Sequence, residues 1–302
     1  MARQFLNTFL ADRSAPDALA VTAGISGNGV FKLLTEADVV RMIRPRELFT
    51  HKGSYGHVLI VAGQEKTMGA ALLAGSACLF GGAGLTTLSI PSSGLTALNA
   101  SFPEIMFLER KELAVINKLE KFTVIAAGPG LGTGAKKHLQ NLFKLKRPMV
   151  IDADALNILA TNPELFKKVP PGAILTPHMT EFDRLFGKHE SWYDRIETAR
   201  RQAALRNIII VLKNQYTFSI EPSGKVTVNP SGNPAMAQGG MGDVLTGLIS
   251  AYVAQGYSGI QSVQLACYLH GRAGDELAKT HFSITASAVA RHIPIIVRSL
   301  VK

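Results

Sequence analysis

The sequence predicts an α/β protein, a mostly parallel central sheet layered between helices, and three observations carry that expectation. Short β-branched runs alternate with longer helical patterns along most of the chain, as parallel strands joined by crossover helices require. Glycine is frequent, 28 residues against 14 prolines, which suits many short strand-to-helix turns. The 302 residues, 47% hydrophobic and 18% charged, carry enough apolar material for one large core.

The elements follow in order. Residues 1–34 have scattered apolar positions and turn formers at Pro16, Gly24, Gly27 and Gly29, without a sustained period. They read as a leader or linker, and 35–302 as the domain. Thr35 followed by Asp38 has the form of a capping box and opens a short helix that ends before Pro45. His57 to Gly63 reads as a buried strand. A small-residue helix follows from Gly69 to about Gly81, where Ala70, Ala71, Ala74 and Ala77 let its backbone approach the sheet. Strand-like runs recur at Leu85 to Ile90, Thr123 to Ala127, Pro148 to Asp152, Ala173 to Thr176 and Asn207 to Lys213. Between them, segments 135–146, 155–161, 180–186 and 194–205 each show one apolar helical face. Thr217 to Ile220 and Lys225 to Val228 form a hairpin around Pro222-Ser223-Gly224, and three mostly apolar helices close the chain at 242–254, 260–278 and 285–300. There is no internal repeat. In such a sheet, ligands are expected at the carboxyl ends of the strands.

Composition narrows the function classes. A formal net charge of +10, from 32 Lys plus Arg against 22 Asp plus Glu, attracts polyanions, acidic membranes or phosphorylated small molecules alike. The basic stretch Lys136, Lys137, Lys144, Lys146 and Arg147 is interleaved with Leu139, Leu142, Phe143 and Leu145. It therefore reads as the solvated face of an amphipathic helix and not as a nucleic-acid surface. Cys78 and Cys267 lie in apolar, helix-like segments without metal-ligand spacing, and are expected as buried free thiols. No run is apolar enough to span a membrane, since the richest, Leu245 to Leu269, is broken by Gln255, Gly256, Gln261 and Gln264. The start lacks the order of a signal peptide, so a cytoplasmic protein is expected.

The most informative segment is Asn229-Pro230-Ser231-Gly232-Asn233-Pro234-Ala235-Met236-Ala237-Gln238-Gly239-Gly240-Met241-Gly242-Asp243. A glycine turn that runs into a helix aims several backbone N–H groups at one point, and the helix start adds partial positive charge there. Gly239, Gly240, Met241 and Gly242 are thus an anion hole for a phosphoryl group. Asp243 at its mouth is a candidate base for a hydroxyl that attacks phosphorus. A tight turn with Asp243 as a helix-start residue explains the same residues without chemistry. Gly128-Pro129-Gly130-Leu131-Gly132 closes a strand, and its glycines allow either close approach to a phosphate or ribose or a plain turn. Asp152 and Asp154 follow a strand, where they could orient Mg²⁺ through water or cap the next helix, with capping preferred.

Asn233-Pro234-Ala235-Met236, the glycine turn and Asp243 together resemble the NAD(P)H-hydrate dehydratases, a branch of the ribokinase-like fold, and the resemblance runs from about Thr35 to the C-terminus. His51-Lys52-Gly53-Ser54-Tyr55-Gly56 is similar to the family's entry motif with Ser54 where Thr is common, and Pro103-Glu104-Ile105-Met106 is a further match without assigned chemistry. The resemblance implies a three-layer α/β/α sandwich. It puts Ala70, Gly130, His178 of Thr176-Pro177-His178 and Asp243 against the hydrated dinucleotide. It puts Lys213, Asn214, Gln215, Tyr216, Thr217 and Gly242 against ADP or ATP. Thr180 and Asn214 stand where the family usually has glycine. From the residues alone, Ala70 is a small helix-start residue, a lone histidine such as His178 is more often structural than functional, and Lys213 could equally snorkel from a strand end.

The implied activity is dehydration of the S epimer of NAD(P)H hydrate (NADHX or NADPHX) back to NAD(P)H. ADP or ATP with Mg²⁺ phosphorylates the hydrate hydroxyl, and phosphate is then eliminated. No residue is assigned as a metal ligand. The resemblance also implies a homo-oligomer, a tetramer in the family, and an epimerase domain or partner, of which the 34-residue leader could be a remnant. Neither nucleic acid nor membrane is expected as a partner. The rival readings are a small-molecule kinase of the same fold, whose product keeps the phosphate, and a nucleotide-binding regulator without turnover.

Overall fold

The computed structural model describes residues 31–301. The first described element is the strand β1 (Phe31–Leu33), followed by α1 (Glu36–Met42). The capping box read from Thr35 forms reciprocally: the Asp38 amide donates to Thr35 Oγ1, and the Thr35 amide to the Asp38 carboxylate. Next come β2 (His57–Val61), α2 (Met68–Phe80), β3 (Leu85–Ile90), α3 (Leu95–Ser101), β4 (Met106–Glu109) and β5 (Val124–Ala127). The chain goes on through α4 (Lys136–Phe143), β6 (Met149–Ile151), α5 (Ala153–Ala160), α6 (Pro163–Phe166), β7 (Ile174–Leu175), α7 (Met179–Phe186), α8 (Trp192–Arg206) and β8 (Ile209–Leu212). The hairpin of β9 (Thr217–Ile220) and β10 (Val226–Asn229) precedes α9 (Met241–Ala254), α10 (Gly259–Leu277) and α11 (Ala286–Leu300).

The described strands form one ten-stranded sheet in the order β1-β10-β9-β8-β7-β6-β5-β2-β3-β4. Only β9 among them runs against the rest, pairing antiparallel with both β8 and β10. From β2 the chain moves outward through β3 to β4 and then returns to β5 on the other side of β2, so the strand order reverses between β2 and β5. A crevice at the carboxyl ends of the strands follows from that reversal.

Both faces of the sheet are covered. Leu59 and Val61 enter one apolar cluster with Leu139 of α4, Leu156 of α5 and Ile196 of α8. Val58 and Ile60 enter another with Ala74 of α2, Leu248 of α9, Leu269 of α10 and Val289 of α11. Two-sided burial is why the central strands read as unbroken apolar runs. The basic stretch behaves as read, with Leu139, Leu142 and Phe143 buried while Lys136, Lys137, Lys144, Lys146 and Arg147 are exposed. Cys78 and Cys267 are buried free thiols.

Three expectations change. Residues 1–30 lie outside the described residues, but Phe31–Leu33, inside the segment read as leader, pairs in parallel with β10. Three residues are too short a run to show a period. The edge strand β4 was not expected, because its four residues mix exposed, half-buried and buried positions. The alanines of α2 serve a helix as well as the sheet: a Cβ on Gly247 of α9 would lie 2.1 Å from the Ala74 carbonyl and 2.9 Å from the Ala77 methyl. Gly75 also faces the sheet, with Leu88 of β3 3.0 Å from where its Cβ would be.

Candidate active site

The site is assembled at the carboxyl ends of β2, β5, β6, β7 and β8. Gly240 takes φ +93° just before α9, a left-handed turn that favours glycine, and a Cβ there would meet Leu73 at 2.4 Å. The turn leads the chain directly into α9, where the first amides have no helical partners. Asp243 is the third residue of that helix, and its carboxylate makes no hydrogen bond to the described residues. Burial pushes its carboxyl up to about 7; the negative charge of Asp152 adds to the shift, and Lys213 opposes it. A carboxylate held near neutrality and left uncommitted is suited to accept a proton.

Lys213 follows β8, where its amide donates to the Pro177 carbonyl at 3.0 Å and so ties this loop to the one after β7. Its ammonium donates to Asp152 Oδ1 at 2.9 Å, with the lysine side chain 19% and the aspartate 2% exposed. Burial works against the Lys213 charge, but Asp152, Glu181 and Asp243 outweigh it and hold the pKa above the ordinary lysine value. The other Asp152 oxygen accepts from the buried Thr246 hydroxyl at 2.8 Å. Capping by Asp152 or Asp154 is therefore not what the structure shows. Neither caps α5 through its side chain, because Asp152 turns across to Lys213 and Thr246 while Asp154 accepts from the Gly132 amide at 2.7 Å.

His178 caps α7. Its Nδ1 accepts from the amides of Thr180 and Glu181, while Glu181 Oε2 accepts from the His178 amide at 2.9 Å. With Nδ1 engaged as an acceptor, the neutral ring carries its proton on Nε2, 3.4 Å from Glu181 Oε1. The side chain remains 52% exposed, so it can still meet a ligand. Burial raises the Glu181 carboxyl, and Lys213 partly offsets that. Thr180, in place of the usual glycine, sits in the first turn of α7 without positive φ.

Ala70 and Gly130 are linked through Thr67. The Ala70 amide donates to the Thr67 carbonyl at 3.2 Å, and Thr67 Oγ1 donates to the Gly130 carbonyl at 2.7 Å. Lys213, Asn214, Gln215, Tyr216, Thr217, Met241 and Gly242 share the lining of one cavity of about 630 Å³. Asn214 lacks positive φ, so its replacement of glycine leaves the loop path unstrained. Ala70, Gly130, His178 and Asp243 are not among the residues lining this cavity. His178 pairs with Lys213 in a short parallel bridge and Asp243 directly follows Gly242, whereas Ala70 and Gly130 are tied to each other through Thr67.

The sequence reading missed the partnership of Asp152 with Thr246, the buried Glu181 and the stapling Thr67. Thr246 was findable, being a hydroxyl one helical turn after Asp243 in a mostly apolar run. His270 was missed as well. It lines the cavity from α10, its buried Nε2 has no hydrogen-bond partner, and burial lowers its pKa to about 4. Among the described residues, no group of three or more His, Cys, Asp or Glu could hold a metal ion, and no helix is long and apolar enough to cross a membrane.

Comparison with known proteins bears on the family and the fold. The family model described as NAD(P)H-hydrate dehydratase matches residues 58–295. An ADP-dependent (S)-NAD(P)H-hydrate dehydratase of Lactiplantibacillus plantarum is 33% identical over 86% of this chain and 95% of its own. A bifunctional NAD(P)H-hydrate repair enzyme of Moorella thermoacetica is 35% identical over 96% of this chain, which spans 58% of that longer protein. Among solved structures, a ribokinase-like superfamily protein of Enterococcus faecalis superposes with a TM-score of 0.83 at 29% identity, covering 90% of this chain and 96% of that one. The ADP/ATP-dependent NAD(P)H-hydrate dehydratase of Bacillus subtilis, co-crystallised with ATP and Mg²⁺, gives 0.79 at 29% identity over 89% and 98%. The fold is accordingly ribokinase-like.

Proposed function

The chain belongs to the NAD(P)H-hydrate dehydratase family, and on that premise we propose that it dehydrates the S epimer of NAD(P)H hydrate to NAD(P)H with ADP or ATP as phosphoryl donor. One observation carries the reading: Asp243 presents an uncommitted carboxylate, with its pKa raised to about 7, at the start of α9 beside the glycine turn.

In the proposed reaction the hydrate hydroxyl attacks the terminal phosphorus of the nucleotide, and Asp243 takes the hydroxyl proton. The amides of Gly239, Gly240, Met241 and Gly242 face the charge on the phosphoryl oxygens. Hydroxide is a poor leaving group, whereas phosphate departs readily. Pushed out by the ring nitrogen, it leaves together with a proton from the neighbouring carbon, and the double bond of NAD(P)H returns. Ala70, Gly130 and His178 are proposed to face the dinucleotide, with the His178 Nε2–H as donor. Lys213 to Thr217 and Gly242 are proposed to face the nucleotide.

The described residues do not fit a resident metal. They contain no ligand cluster, and both oxygens of Asp152 are engaged. Mg²⁺ would enter on the nucleotide phosphates, whose charge it neutralises. The bifunctional relatives are longer than this chain, and an epimerase that interconverts the hydrate epimers is the proposed partner activity.

The test incubates the protein with NADH hydrate and either ADP or ATP. Dehydration returns the NADH absorbance with one free phosphate for each NADH. A small-molecule kinase would leave phosphate on its product, and a regulator would bind nucleotide without turnover.

A further inference from the structure

The trio of buried Asp152, half-buried Lys213 and buried Thr246 has a simple structural reading, a polar tie between the ends of β6 and β8 and the first turns of α9. Two observations go beyond it. The trio lies against the turn: a Cβ on Gly242 would be 3.3 Å from Lys213 Nζ and 3.8 Å from Asp152 Oδ2. The bonding is also unequal. Each Asp152 oxygen has its donor, at 2.9 and 2.8 Å, whereas the ammonium has three N–H groups and spends one of them, on Asp152. The Lys213 side chain is 19% exposed and lines the cavity, so those remaining donors are open to a group bound there. The ammonium keeps donors in reserve beside the turn.

The phosphoryl group to be transferred must sit between the turn amides and Asp243, which places it next to the last glycine, Gly242. We propose that Asp152 and Thr246 are positioning residues, holding the Lys213 ammonium at Gly242 so that its unspent N–H groups meet the terminal phosphoryl of the bound nucleotide. Thr246 fixes the Asp152 carboxylate from one side, and the carboxylate then fixes Lys213 from the other. The inference rests on the reading of the turn as a phosphoryl site.

Because ADP and AMP differ by that one phosphoryl group, the ratio of their affinities reads the contact without any turnover. Calorimetric titrations of the full chain with ADP and with AMP are compared for the parental protein, Lys213→Met, Thr246→Val, Asp152→Asn and the Lys213→Met/Thr246→Val double variant. Lys213→Met is expected to remove about tenfold or more of the ADP preference, the size of a charge-assisted hydrogen bond. Thr246→Val should remove about fivefold of it with AMP affinity unchanged, and Asp152→Asn less, since the loss of a negative charge beside the phosphates offsets part of the effect. In the double variant Thr246→Val should add nothing further, since its effect runs through Lys213. If Thr246→Val weakens ADP and AMP alike, or its effect adds in full to that of Lys213→Met, its role is structural and the proposal falls. Melting curves check folding, and Thr246→Val carries the test if Asp152→Asn does not fold. A parental protein that binds ADP but leaves NADH hydrate untouched overturns the dehydratase reading alone.

Discussion

Thr67 Oγ1 donates to the carbonyl of Gly130 at 2.7 Å, across a separation of 63 residues. That bond staples the loop after β2 to the loop after β5, where the strand order reverses, and the Gly63 amide reinforces it by donating to the Pro129 carbonyl at 2.8 Å. Gly130 has φ +55°, and a Cβ there would lie 2.8 Å from both the Thr67 Cβ and its carbonyl oxygen. Gly130→Ala is expected to lose about 1–2 kcal/mol from the left-handed backbone alone, more with the clash. It should raise KM for the hydrate and leave ADP affinity unchanged. Urea unfolding and steady-state kinetics check both effects, and an unaltered midpoint with an unaltered KM would count against the staple.

Asp243→Asn keeps the shape of the side chain but removes the base. Turnover should fall by about 10²–10⁴-fold, while ADP affinity holds or tightens because a negative neighbour of the phosphates is gone. Recovery of NADH at the parental rate by the purified variant would show that the base lies elsewhere.

The pH dependence follows from the same carboxyl. Its pKa is raised to about 7, first by burial and then by Asp152. Because a base acts ionised, kcat/KM should fall as pH drops below about 7 and level off above it. Asp152→Asn deletes a charge that favours the protonated form, so the acid limb should move to lower pH. Profiles of the two proteins measured side by side decide the sign, and a limb that stays put or moves upward contradicts the electrostatic account.

The contact of α2 with α9 makes a prediction about stability. At Gly247 an added methyl would strike the Ala74 carbonyl, so Gly247→Ala should cost about 1–3 kcal/mol, as overpacked interiors do, and lower the melting temperature. Ala74→Gly would not relieve a clash with a backbone oxygen, so the double variant should be no more stable than Gly247→Ala.

Much of this architecture was legible because the signals were local. The Thr35 and Asp38 box, the unbroken apolar strands, the hairpin and the three closing helices each follow from spacing within a dozen residues. The glycine turn that runs into a helix with Asp243 in its first turn was legible for the same reason, and its use as a phosphoryl site is the proposal made above. What escaped reading depends on distance. The carboxylate of Asp152 is decided by Lys213 and Thr246, 61 and 94 residues away, so its local appearance as a helix cap misled. The Thr67 staple is equally non-local. The identity of the hydrated substrate never followed from spacing and came from resemblance.

The pairing of β1 with β10 bears on how the protein should be handled. A chain trimmed to Thr35, the start that the capping box invites, would lose Phe31–Leu33 from the sheet and leave Val226 to Val228 with an uncovered edge. Bare edges recruit strands from other molecules. Such a truncation would be prone to precipitate for reasons unrelated to catalysis, so tags and fusion junctions belong upstream of Phe31.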